Sequence, residues 1–234
     1  MSGSPLGVVL VLGGATLREA CADDGLHLVG SQTTYTVSGQ ESFLTSGGSC
    51  MNFRGSPLCV DGGATLKITG TGNSLLSQGQ IYIGYQQAGT SRLLIENGGK
   101  FFLNYSVTQV GWSGGDGLLS VSGPGSQMIE TPDSLIAVGT GDNTNGNSPF
   151  YNTGQSTYGA VTITDGGRIF AGTVSAGVYR YGVGLVTVDG QNSLLYVAKD
   201  YYVNGGSGVD GGSGITRVSN GGGLVVNGQI FFWW

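Results

Sequence analysis

Short apolar runs, each stopped by a glycine-containing turn, set the pattern of this chain. An aliphatic residue stands just before such a turn at Val11, Val37, Ile68, Ile95, Val121, Ile163, Val188 and Val218. The spacings are 26, 31, 27, 26, 42, 25 and 30 residues, and a period of that size marks a solenoid. Seven residues after the anchors come Leu44, Leu75, Phe102, Met128, Phe170, Leu195 and Val225; the first coil breaks the row, with Arg18 beside Leu17. Fifteen residues after four anchors come Ile83, Val110, Val178 and Val203, while Val138 falls at seventeen and Val29 at eighteen. Three apolar rows imply three short strands per coil. Leu118 to Gly139 shows one coil whole: a strand ending at Val121, the turn SGPGS, a strand through Met128, the corner TPDS and a strand ending at Val138.

The turn after the anchor has two alternating forms. One is GxGS-like: TGTGNS at 69–74, SGPGS at 122–126 and DGQNS at 189–193. The other is a GG corner: ENGG at 96–99, TDGG at 164–167 and SNGGG at 219–223. Asn or Asp beside Gly supplies the left-handed backbone that a tight corner needs. Helix is a poor reading, because glycine costs ~1 kcal/mol each against alanine inside one. The expectation is an all-β chain, a single-stranded right-handed parallel β-helix of about eight coils. Stacked at ~4.8 Å per coil, it would be a rod of roughly 38 Å. Residues 1–234 form one such domain, expected to be a piece of a longer array.

Two stretches depart from the repeat. An Asn/Thr/Gly-rich loop at 140–158 accounts for the spacing of 42 and carries Phe150, Tyr151 and Tyr158. Long loops on rigid scaffolds often carry function, though tolerated insertions are also common. Between Ser42 and Val60, Cys50 and Cys59 lie nine residues apart, close enough to close a small disulfide loop in an exported protein, with Cys21 left over. Leu6 to Leu17 has an apolar core of signal-peptide length, but no Lys or Arg precedes it, and GGATL at 13–17 recurs at 62–66. The repeat reading is preferred.

Composition narrows the function. The 47 glycines lack the strict period of collagen, and 39% hydrophobic residues argue against disorder. A net charge of -5 with nine scattered basic residues excludes a nucleic-acid surface. No apolar run reaches membrane-spanning length. The chain's one histidine, His27, sits in a strand-like run without a Ser or Cys partner. The stretches 141–147 and 205–213 fall short of calcium loops, so no metal or cofactor is expected. Corner chemistry leaves Asp23, Asp24 and Asp200 unexplained, and Glu130 and Asp133 could share a corner; a carbohydrate-active alternative would need Glu130, Asp133 and Asp200 close together. Tyr179, Tyr181, Tyr201 and Tyr202, with Tyr82 and Tyr85 earlier, fall near the third strand of their coils. Open to solvent, such a ladder binds sugars or protein; stacked between coils, it serves packing.

The units LLSVSGPGSQM, AVTITDGGRIF and LVTVDGQNSLLYV resemble the repeats of bacterial autotransporter passenger domains over roughly 33–228. That resemblance implies export and surface display in a Gram-negative bacterium, as a secreted or cell-surface stalk or adhesin. No translocator barrel follows in this sequence. The expected partners are a glycan or a host or cell-surface protein, together with end-to-end self-association. The competing readings are a β-helical enzyme of the tailspike depolymerase kind and a structural piece with no ligand.

Overall fold

The structure is a computed structural model. It describes residues 9–12, 26–43, 49–50, 53–54, 58–85, 87–104, 107–141, 156–205 and 211–232, with backbone alone for 9–12, 42–43, 49–50 and 53–54. Strands follow one another around three faces and then repeat. The first face stacks seven parallel strands, from Thr34–Val37 to Ser213–Ser219. The second stacks seven, from Gln40–Phe43 to Gly223–Val226. The third stacks nine, from Val9–Leu12 to Ile230–Phe232. Each strand pairs with the equivalent strand one coil away, so the molecule is a parallel β-solenoid. Among the described residues, seven strands span six inter-coil steps on the first two faces, fewer than the eight coils expected.

The anchor row is one ladder. Val37, Ile68, Ile95, Val121, Ile163, Val188 and Val218 are mutual partners along the first face, and all but Val218 are buried. Val11 does not belong to it, because its strand joins the third face, opposite Leu28. The second row needs a larger correction. The core ladder of the second face is Leu75, Phe101, Met128, Ile169, Leu195 and Leu224. Phe102, Phe170 and Val225 point outward instead. Each follows a GG corner, which is one residue shorter than the GxGS corner, and a slip of one residue flips every side chain to the other face. On the third face Leu28, Val60, Ile83, Val110, Val138, Ala176 and Val203 form the core row. Val29 lies one position off it, and Val178 two positions off it, opposite Thr140.

The two corner forms interlock. In the GG corner two consecutive residues take positive φ, as at Asn97 (53°) and Gly98 (86°). That geometry leaves the Gly98 N–H pointing along the solenoid, where the Ser126 hydroxyl of the next GxGS corner accepts it at 3.0 Å. Ser193 does the same for Gly166 at 3.0 Å, and the Asn73 side-chain oxygen accepts from Gly39 at 2.8 Å. The alternation in sequence is thus a donor form stitched to an acceptor form.

Where the third face turns into the first, backbone meets backbone. A Cβ on Gly159 would lie 2.0 Å from the Val110 carbonyl oxygen, and one on Gly139 would lie 2.1 Å from that of Val183. Only glycine fits there.

The first irregular stretch is a hairpin between the second and third faces. Ser49–Cys50 pairs antiparallel with Phe53–Arg54, beside the third-face strand Leu58–Asp61. Cys59 is disulfide-bonded. The expected partner, Cys50, has its side chain outside the described residues. The long insertion leaves strand Leu135–Thr140 and returns at Thr157–Thr164; its residues 142–155 are also outside them. No helix among the described residues is long and apolar enough to cross a membrane.

Candidate functional site

The tyrosines expected to form one ladder separate into four places, and Tyr158 of the insertion joins one of them. Tyr158 and Tyr181 come together at the third-to-first corner on neighbouring coils, 40% and 50% exposed, where the Thr157 N–H donates to the Tyr181 carbonyl at 3.0 Å. The Asp116 carboxylate accepts the Tyr158 N–H at 3.2 Å. The Arg180 guanidinium lies 5.9 Å from the centre of the Tyr181 ring, within cation–π reach. Tyr179 (φ 62°) and Tyr181 (φ 64°) are both left-handed, a conformation that costs a bulky residue ~1–2 kcal/mol. The segment around Arg180 is held in this shape by the coils on either side.

Tyr201 is different. It lies in the core, 0% exposed, and its hydroxyl bonds to the Thr216 hydroxyl at 2.7 Å. Burial pushes its phenol up to about 12, with the Thr216 bond pulling the other way. The expectation that it meets a ligand is therefore corrected. Strand alternation explains the difference, because Tyr202, one residue on, faces outward and stacks on Phe231 at 4.9 Å with 9° between the planes. Tyr82 and Tyr85 are buried too, outside the solenoid wall against Trp112 and Cys59, with ring centroids 5.0–5.4 Å apart. Phe150 and Tyr151 lie outside the described residues.

Beside that aromatic shoulder, His27 occupies the outward position opposite Cys59, and its Nε2 is buried without a hydrogen-bond partner. Burial lowers its pKa, opposed by the charge of Asp61. Asp61 Oδ1 accepts the backbone N–H groups of Tyr85 (3.0 Å) and Gln87 (3.3 Å). This carboxylate holds a loop; no third His, Cys, Asp or Glu joins the pair to make a metal cluster among the described residues.

The three acids of the carbohydrate-active alternative are held in three different ways. Asp133 is exposed and pairs with Lys199 at 2.6 Å. The Asp200 carboxylate accepts from the Gln229 N–H (2.9 Å) and the Tyr202 hydroxyl (3.3 Å). Glu130 points into the solenoid, in the core ladder after Ser77 and Leu103. Its Oε1 accepts the Thr108 hydroxyl at 2.8 Å, and its Oε2 is buried with no partner. Burial raises its pKa to about 8, with the Thr108 bond acting against the shift, so the carboxyl is largely protonated at neutral pH.

The surface that sequence reasoning missed is the outside of the second face. The register that moves Phe102 and Phe170 out of the core places Leu76, Phe102, Ile129, Phe170, Tyr196 and Val225 in one outward ladder. The first five are half-buried and Val225 is 44% exposed. The signal was available in the corner lengths, which place GG and GxGS strands in opposite phase. No family model, curated protein or solved structure matches the chain.

Proposed function

We propose that this protein is a non-enzymatic β-solenoid stalk, secreted or displayed on the surface of a Gram-negative cell, that engages a partner through its side walls in the manner of an autotransporter passenger. The observation that carries this reading is the unbroken core ladder. One coil repeats through the rod, so side chains recur at fixed intervals on a rigid wall, which suits multivalent contact. The strained Tyr179–Tyr181 segment, beside the longest insertion, is the adhesive corner. The burial of Glu130 adds support, since hydrolysis of a glycosidic bond needs two carboxyl groups flanking the scissile bond and this one faces the core.

The test is a binding array of glycans and extracellular-matrix proteins probed with the purified chain, Tyr158→Ala and Tyr181→Ala. A signal that both substitutions abolish assigns adhesion to that corner. A silent array leaves a stalk alone. New sugar ends released from an array glycan would overturn the non-enzymatic reading.

A further inference from the structure

The outward ladder of the second face carries more than apolar area. Two residues before Phe102 on its strand stands Lys100, and two residues before Phe170 stands Arg168. Both cations are exposed, and neither belongs to an ion pair among the described residues. Register links Lys100, Gln127 and Arg168 in a row beside the aromatic one. Both basic-x-Phe units follow a GG corner, so the alternation of corners sets them two coils apart, ~9.6 Å at the usual strand spacing. That is close to the length of two sugar residues in an extended chain. Phe170 and Tyr196 lie side by side, centroids 6.1 Å apart. A groove of about 600 Å³ runs past Leu76 and Phe102, and one of about 410 Å³ past Gln127 and Arg168.

Charge selects the occupant. The chain carries -5 overall, yet the outward positions of the described second-face strands hold two cations and no carboxylate. Two acids border the grooves. Glu41 is already bonded to the Tyr35 hydroxyl (2.6 Å) and the Ser38 N–H (2.8 Å), while Asp165 stands at the corner beside Arg168. Aromatic faces pack against the apolar C–H faces of sugar rings, and Lys and Arg pair with carboxylates. We propose that this face binds an acidic polysaccharide lying along the solenoid axis, its sugar rings on Phe102, Phe170 and Tyr196 and its carboxylates on Lys100 and Arg168. The proposal rests on the reading of the protein as a non-enzymatic surface binder and names the class of partner.

Calorimetric titration of the whole chain with oligosaccharides of polygalacturonate and alginate, against maltodextrin of equal length, tests it. Both uronates should bind at least tenfold more tightly than maltodextrin, and more weakly as salt is added. Phe170→Ala should weaken uronate binding at least tenfold with the thermal melt retained, since the ring lies outside the core. The double substitution Lys100→Gln and Arg168→Gln should bring uronate affinity down to that of maltodextrin and remove the salt dependence. Equal affinity for charged and neutral sugars, no binding, or binding indifferent to Phe170→Ala would overturn the proposal. So would a sugar-independent dimer in sedimentation that Phe170→Ala abolishes, which would assign the face to a second copy. Cleavage of a bound uronate would sink the non-enzymatic reading and leave this site standing; absence of binding would do the reverse.

Discussion

The two ends of the solenoid carry the same ladder in opposite circumstances. At the N-terminal end Val37 is 1% exposed, and the third face runs on past it by the strands Leu26–Val29 and Val9–Leu12. The core positions there end in polar groups: the Tyr35 hydroxyl donates to Glu41 at 2.6 Å, and burial, aided by that carboxylate, raises the phenol's pKa. At the other end Val218 and Ile230 are each 46% exposed, and Phe232 is 62% exposed. Val37 and Val218 sit on one register and share one chemistry. Each closes the first face with a strand partner on one side only; what differs is that the third face runs on past Val37, so burial in this fold belongs to the stack and not to the residue.

The largest expected effect sharpens that contrast. Phe101→Ala, in the middle of the second-face ladder, should cost about 3–5 kcal/mol in denaturant unfolding. Val218→Ala, at the open end, should cost less than about 1 kcal/mol because little burial is lost. Equal losses would mean that the last coil is covered in solution, by a second copy or another partner. Sedimentation run alongside would tell which.

Next comes Glu130, which lies in the interior and makes the middle of the rod sensitive to pH. Its folded pKa of about 8 stands above its ordinary 4.5. The stabilising contribution of the neutral carboxyl is therefore whole below about 4.5 and is lost as pH rises through about 8. Glu130→Gln should flatten that part of the profile and make the chain more stable than wild type at pH 8, by on the order of a few kcal/mol. Parallel wild-type and variant curves between pH 4 and 9 would mean that water reaches Oε2.

The smallest effect is at the closed end. Tyr35→Phe removes the hydroxyl that satisfies Glu41 and should lower stability by about 1 kcal/mol. Hydrogen exchange should show the added opening confined to the first coils, because the solenoid transmits only to nearest neighbours. Opening spread over the whole chain would contradict that.

The sequence made the first face legible, because Val or Ile before a glycine turn marks both the strand and its inward phase. It made the second face half legible. The fixed seven-residue offset lands on the core at Leu75, Met128 and Leu195 but on the outer wall at Phe102, Phe170 and Val225, because a GG corner spends one residue fewer. The same cause hid the outward ladder. Tyr201 and Tyr202 are neighbours of one type, and only register tells that the first is core and the second wall. Glu130 was unreadable for another reason: a carboxyl is not expected inside, and nothing local to residues 127–134 shows that Thr108, one coil away, awaits it.

The bonds from Ser126 to Gly98 and from Ser193 to Gly166 bear on how such a rod changes length over evolutionary time. Removing one coil would set two corners of the same kind against each other and strand a backbone N–H, at roughly 1–3 kcal/mol. Removing two would rejoin a donor to an acceptor. The heritable module is therefore the pair, and recombination that survives selection should lengthen or shorten the array by even numbers of coils.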